Sequence, residues 1–190
     1  MQLYPACQPW LRAHAADYQI DADRIGIWGP SAGGHLSALA GTSAGRLEPP
    51  DASADTNDGS RVQAVVDFFG PTNFLAMREH MLTSFDHDGP DSPESRLVGG
   101  PIGERAQAVK EANPITYISG DEPPFLIVHG IDDPIVPFNQ SEILASALRS
   151  AGVDVTFRPI EGGGNGTGEE FDSPALMDII TKFFDRHLKR

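Results

Sequence analysis

The sequence predicts an α/β fold in which helices cover both faces of a doubly wound, mostly parallel sheet. Short apolar runs alternate with segments of helical periodicity along the 190 residues, and parallel neighbouring strands need such crossover helices. One apolar run also passes through a glycine-rich corner directly into a small-residue helix. No repeat or linker divides the chain, so we assign residues 1–190 to a single domain.

The first half of the chain predicts two strands. Trp10, Leu11 and His14 recur at helical spacing, whereas RIGIW and the run before Phe69 are short and apolar, as buried strands are. The elements are a helix at 6–18, a turn at 21–23, a strand at 24–28, a glycine-rich corner at 29–34, a helix at 35–42, a polar loop at 43–60 and a strand at 62–69.

The second half predicts a cap insertion and two further strands. Prolines interrupt residues 70–120, which we interpret as a cap with short helices near 74–82 and 104–112. Gly152 ends one later helix, and Ser173 with Pro174 can begin the last one. These elements are a strand at 124–128, a helix at 141–151, an alternating strand at 153–159 and a helix at 173–188.

Composition excludes several classes of function. The chain has 14 Lys+Arg and 27 Asp+Glu, a net charge of −13, which disfavours nucleic acids and anionic membranes as partners. Cys7 is the only cysteine, so neither an internal disulfide nor a cysteine-based zinc site is expected. No apolar stretch approaches the roughly 20 residues that span a bilayer, and residues 1–15 lack signal-peptide features. The compartment stays open.

The corner Gly29-Pro30-Ser31-Ala32-Gly33 fits G-x-S-x-G, the nucleophile elbow. Flanking glycines allow a sharp turn that exposes the serine above the strand ends. The backbone N–H of Ala32, at a helix N-terminus, can then face a developing oxyanion. The alternative is a glycine-rich structural turn, but the position between strand and helix favours nucleophilic Ser31.

An acid loop, HGIDDPIVP, follows the third strand at residues 129–137. An acid there suits the chain order Ser, Asp, His of this kind of site. Asp132 and Asp133 both compete for the role, and a capping or turn aspartate is the alternative interpretation.

The chain resembles the α/β-hydrolase superfamily, in its serine carboxylesterase branch. It is most similar to bacterial feruloyl- and acetylxylan-esterase-like hydrolases, which are related to prolyl-oligopeptidase-type peptidases. The matching stretches are DADRIGIWGPSAGGHL, DFFGPTNF, SPESRLVGG, NPITYIS and PPFLIVHGIDDPIVP. The resemblance implies a short-chain or plant-cell-wall acyl ester as substrate and no cofactor, and it places the triad acid at Asp133.

The resemblance also implies a histidine in a glycine-rich loop after the last strand. Here residues 161–168 read EGGGNGTG, and Asn165 occupies the histidine position. An amide does not titrate near neutral pH, so it cannot take the serine proton. Removal of a triad base costs about 10⁴–10⁶ in rate.

The family has further strands, and an HGGG-type loop with oxyanion donors, before the elbow. This chain has only 30 residues before Ser31 and no HGGG. The sequence therefore predicts the C-terminal part of the sheet, with strand 24–28 at an open edge. An open apolar edge invites pairing, so we expect a homo-oligomer through it.

The other histidines are weaker candidates for the base. His35 and His129 match family positions and are expected to be packed, whereas His14, His80, His87 and His187 are expected to be solvated. No pair has metal-ligand spacing. Phe68, Phe69, Phe74 and Phe85 could line the pocket, with core packing favoured for the first two.

Two functions remain open. The first is a serine hydrolase of carboxylic esters, crippled by Asn165, in which Ser31 attacks, Asp133 orients the base and Ala32 N–H holds the oxyanion. The second is a non-catalytic hydrolase-fold protein or fragment that binds a small ligand.

Overall fold

The structure, a computed structural model, describes residues 7–43, 46–47, 59–83 and 85–189. Most of the predicted loop at 43–60 lies outside the described residues. The elements are α1 (Cys7–Ala13), α2 (Ala15–Tyr18), β1 (Gly26–Pro30), α3 (Ala32–Ser43), β2 (Ala64–Phe68), α4 (Pro93–Val98), α5 (Ala106–Ala112), β3 (Phe125–Gly130), α6 (Asn139–Ser150), β4 (Val155–Ile160) and α7 (Pro174–Leu188).

The four described strands form one parallel sheet in the order β1-β2-β3-β4. Pro30 lies opposite Phe68, and Phe68 lies opposite Val128. β3 and β4 pair as far as Gly130 and Ile160. The carboxyl ends of all four strands therefore meet at one edge, where ligands bind in open α/β sheets.

Helices cover both faces of the sheet, as the alternation of elements predicts. On one face, α3 and α6 pack on a cluster that includes Ala38, Val65, Phe125, Ile127, Leu144 and Leu148. On the other face, α7 packs on a cluster that includes Val66, Phe68, Leu126, Val128, Leu176 and Ile180. β2 and β3 are buried throughout, as central strands of a doubly wound sheet are.

Residues 70–120 build a small apolar cluster of their own. Short 3-10 helices at Phe74–Ala76, Arg78–His80, Ile102–Glu104 and Pro114–Tyr117 accompany α4 and α5. The cluster contains Phe74, Met77, Val98, Ile102, Val109 and Ala112, together with Val136 from the loop after β3. This segment is therefore packed against the predicted acid loop.

Two local predictions were wrong. The helix predicted at 6–18 is broken at His14, whose φ of −111° and ψ of 13° are not helical. The sequence analysis also missed α4, although its start is well marked: Ser92 accepts a hydrogen bond from Ser95 N, and Pro93 occupies the first turn.

β1 forms an outer edge of the sheet within the described residues. Trp28 on this strand is 53% exposed. No helix in the described part of the chain is long and apolar enough to cross a bilayer.

Candidate active site

Ser31 stands in a sharp corner between β1 and α3. Its φ is +52°, a left-handed conformation that non-glycine residues rarely adopt. A Cβ at Gly29 would lie 2.6 Å from the backbone of Gly33, so the corner needs glycine there. Ser31 N donates to Phe68 O at 2.8 Å, which ties the corner to β2. The half-buried Ser31 side chain therefore stands at the carboxyl edge of the sheet.

Ala32 is the first residue of the 12-residue helix α3 and is exposed. N–H groups in the first turn of a helix have no partner within the helix and carry its positive dipole end. The Ala32 N–H is thus suited to a negative oxygen beside Ser31.

The structure distinguishes the two candidate acids. Asp133 is 1% exposed, and its Oδ1 accepts hydrogen bonds from Ile135 N and Val136 N, both at 2.8 Å. Its Oδ2 accepts one from Asn165 Nδ2 at 2.7 Å. Asp132 is exposed. Of these two aspartates, Asp133 is the one whose carboxylate is held by backbone N–H groups and contacts the loop after β4.

Asp133 is held as a carboxylate. Burial by itself raises the pKa of Asp133, but hydrogen bonds from His129 and from the N–H groups of Ile135 and Val136 outweigh it, and Asn165 adds to them. The pKa of Asp133 therefore lies below its ordinary value of 3.8.

Asn165 lies in the glycine-rich loop after β4, half-buried. Gly163 O would overlap a Cβ at Gly130, so the loop packs directly on the end of β3. From there the Asn165 amide donates to Asp133 Oδ2, as an imidazole N–H donates to the acid of a triad. The amide keeps this hydrogen bond but has no basic nitrogen.

The loops that carry these residues meet at one edge, with β2 between β1 and β3. Phe69 follows β2 with a φ of +43°, and its ring lies 3.1 Å from where a Cβ of Gly166 would be. Within the described residues, Asp133 and Asn165 are joined by a hydrogen bond, and none joins the Ser31 hydroxyl to either.

A small apolar groove begins at the elbow. Its volume is about 110 Å³, and its lining is Ala32, His35, Leu36, Pro71, Phe74, Pro93, Glu94 and Leu97. A larger cavity of about 550 Å³ has none of Ser31, Ala32, Asp133 and Asn165 in its lining, which consists of Arg78, Met81, Thr83, Phe85, Asp86, His87, Asp88 and Gly89. Of the four candidate phenylalanines, Phe74 lines the small groove, Phe85 lines the larger cavity, and Phe68 and Phe69 are buried in the core.

Three histidines are buried, one is exposed and two are half-buried: His35, His87 and His129, then His80, then His14 and His187. His35 is 2% exposed, its Nδ1 donates to Pro71 O at 2.8 Å, and burial lowers its pKa. His129 is fully buried; its Nδ1 lies 2.7 Å from Ser141 Oγ, and its Nε2 lies 3.0 Å from Val136 O and 3.4 Å from Asp133 Oδ2. His87 was expected to be solvated, but it is 4% exposed and hydrogen-bonded to Glu94. No group of three metal ligands occurs among the described residues.

A buried carboxyl beneath the elbow was also missed by the sequence analysis. Asp67, on β2, is fully buried; its Oδ1 accepts from Gly70 N at 2.9 Å, and its Oδ2 has no partner. Burial raises the pKa of Asp67 to about 6, against a lowering effect of the Gly70 hydrogen bond. A Cβ at Gly34 would overlap this carboxyl. A lone aspartate in an apolar strand is the signal that could have found it.

Several known proteins to which this chain is similar are named esterases. "Esterase LipQ" of Mycobacterium tuberculosis is 41% identical over 148 residues, which are 75% of this chain and 32% of LipQ. A truncated carbohydrate esterase from gut microbiota superimposes with a TM-score of 0.80 at 36% identity, over 98% of this chain and 67% of that one. Esterase 2 of Thermogutta terrifontis, solved with butyrate bound, gives a TM-score of 0.70 at 25% identity, over 97% of this chain and 64% of that one.

The chain spans about one third of the length of the curated relatives it matches. The BD-FAE family profile matches residues 6–148, most of the chain. The parallel sheet, the helices on both faces and the similar solved esterases agree with that match. The chain therefore belongs to the BD-FAE family and has the fold of the α/β-hydrolase esterases.

Proposed function

We propose that this chain carries the nucleophile and acid of a serine carboxylesterase, and that Asn165 in the position of the base makes its hydrolysis of carboxylic esters slow. The observation that carries the proposal is the 2.7 Å hydrogen bond from Asn165 Nδ2 to Asp133 Oδ2. It reproduces the contact between acid and base in a triad, with the base changed to an amide. The esterases among the relatives support the same reaction.

The reaction would proceed through an acyl-enzyme. Ser31 Oγ attacks the ester carbonyl, and the Ala32 N–H stabilises the oxyanion of the tetrahedral intermediate. The alcohol then leaves with a proton, and water releases the acid by attack on the acyl-serine. Because Asn165 can neither take the Ser31 proton nor return it to the alcohol, both proton transfers fall to solvent. A rate about 10⁴–10⁶ below that of a full triad is expected.

The groove beside Ala32 favours a short acyl group. Its volume of about 110 Å³ is far below the roughly 300–1,000 Å³ of pockets that hold drug-sized ligands. Leu36, Phe74 and Leu97 give it apolar walls. Acetyl to butyryl chains fit these dimensions better than an aromatic acyl group does. The butyrate-bound Thermogutta esterase supports the same size class.

The second candidate is a non-catalytic protein that binds a small ester or acid without turning it over. Asn165 is the observation that favours it, since an amide holds Asp133 without supporting proton transfer. The two candidates differ in one measurable property, which is whether a basic side chain at position 165 starts turnover at Ser31.

The test compares p-nitrophenyl acetate hydrolysis by the unaltered chain and by Asn165→His. Asn165→Gln is the matched control, because it changes size without adding a base, and Ser31→Ala gives the blank. We expect Asn165→His to raise Ser31-dependent turnover by about 10² or more, and Asn165→Gln to leave it unchanged. If Asn165→His stays folded by circular dichroism and remains at the blank, the esterase proposal is wrong and the non-catalytic candidate replaces it.

A further inference from the structure

A buried pair of side chains, His87 and Glu94, joins the segment before α4 to that helix, and His87 also contacts the acid loop. His87 is 4% exposed and Glu94 is 6% exposed. The His87 Nδ1 lies 2.9 Å from Glu94 Oε1, and its Nε2 lies 2.9 Å from Ile135 O. Neither side chain is hydrogen-bonded to Ser31, Asp133 or Asn165 in the described structure, and Glu94 also lines the groove beside Ala32.

The surroundings of the His87 ring favour two protons. Nδ1 faces a carboxyl oxygen and Nε2 faces a carbonyl oxygen, and a ring with a proton on each nitrogen can donate to both. Burial lowers the pKa of His87, but the hydrogen bond and charge of Glu94, the Ile135 carbonyl and the charge of Asp88 outweigh it and raise the pKa. An imidazolium at position 87 satisfies both acceptors, and its charge compensates a carboxylate at Glu94.

The carbonyl that His87 binds belongs to the loop that holds the candidate acid. Ile135 N and Val136 N donate to Asp133 Oδ1. The peptide group between Ile135 and Val136 therefore contacts His87 through its carbonyl and the Asp133 carboxylate through its N–H. Two further contacts tie the same loop to the 70–120 segment. Thr83 Oγ1 donates to Pro134 O at 2.7 Å, and Val136 packs in the apolar cluster of that segment.

We propose that His87 and Glu94 are positioning residues for Asp133: the imidazolium clamps the 134–136 loop so that its N–H groups stay directed at the Asp133 carboxylate. The clamp gives the buried His87–Glu94 pair a role within a segment that consists of short helices and irregular structure. Its catalytic meaning rests on the proposed function, because a fixed acid matters only where it orients a base. The clamp itself is a property of the chain as it is.

The test follows the titrations of the His87 ring and of the Asp133 carboxyl by NMR, in the unaltered chain and in variants of it. Neither titration depends on catalytic turnover. The His87 ring should carry two protons at pH 7, and Glu94→Gln should lower its titration midpoint by about one pH unit or more, because the hydrogen bond stays while the charge is removed. His87→Gln should raise the midpoint of the Asp133 carboxyl by about one pH unit, because its loop donors lose their restraint. His80→Gln is the matched control, as His80 is exposed in the same segment.

A neutral His87 at pH 7 in the unaltered chain overturns the proposal, even if the variants fail to fold. The proposal is also overturned if the titration midpoint of Asp133 in the His87→Gln variant lies within about 0.2 pH units of the midpoint in the unaltered chain. Failure of the proposed function is visible separately, as absence of Ser31-dependent turnover in Asn165→His. In an active Asn165→His background, His87→Gln should lower kcat about tenfold with KM unchanged, and an unchanged kcat would count against the clamp.

Discussion

The fully buried Asp67 carboxyl gives the fold a pH dependence that can be measured. We expect Asp67→Asn to remove a fall in stability that the parent shows between about pH 4 and pH 6. The carboxyl has one hydrogen bond, from Gly70 N, and an Oδ2 without a partner. An asparagine side chain can keep the Gly70 contact through its own oxygen, and it carries no charge at any pH.

The size of the effect follows from the pKa. Burial raises the pKa of Asp67 from 3.8 to about 6 in the folded chain, so the folded state binds the proton more tightly than the unfolded state. The free energy of unfolding is therefore highest below about pH 4, falls as pH rises through the two pKa values, and is level above about pH 6. A difference of about two units corresponds to roughly 3 kcal/mol.

The assay is urea unfolding, followed by circular dichroism, at several pH values from 4 to 8. Other carboxyl groups titrate in the same range, so the quantity to compare is the parent minus Asp67→Asn. That difference should change by about 2.4 kcal/mol between pH 4 and pH 7, because part of the full effect already falls below pH 4. The exposed Asp132→Asn serves as control and should leave the pH profile of the parent intact. Parallel profiles for the parent and Asp67→Asn would refute the reasoning.

Three further outcomes are expected. Gly34→Ala should destabilise the chain by about 1–3 kcal/mol in urea unfolding, since its Cβ overlaps Asp67; an unchanged midpoint would contradict the close packing there. Asn165→Asp should lower stability at pH 7 but not at pH 4, because it sets a second carboxylate against Asp133; equal losses at both pH values would argue against the contact. The exposed edge of β1 should make the chain self-associate, and Trp28→Lys should weaken this in light scattering; a monomeric parent at micromolar concentration would rule it out.

The sequence predicted the elements whose residues carry a local signal. Four apolar runs became the four described strands, and the glycines around Ser31 marked the corner, because close approach of Gly29 to Gly33 excludes side chains. The position of Asn165 opposite an acid was also predictable, through the resemblance. The local pattern alone could not choose between Asp132 and Asp133, since the choice depends on which carboxyl meets a loop from β4.

The sequence did not predict side-chain environments that depend on residues distant in the chain or on irregular segments. His87 looked solvated because its neighbours are polar, but its environment comes from Glu94 on α4 and from the Ile135 carbonyl. Periodicity cannot show such contacts in a segment built of 3-10 turns. The helix α4 does carry a local signal, because Ser92 caps its start and Pro93 occupies its first turn.

The corners after β1 and β2 both pass through left-handed residues that are not glycine, Ser31 at +52° and Phe69 at +43°. Each such conformation costs about 1–3 kcal/mol, and the two stand side by side on adjacent strands. The chain therefore bears the conformational cost of both corners, although the residue at 165 has no basic nitrogen. Glycine would adopt the backbone conformation of position 31 at lower cost, so backbone stability does not explain the serine there.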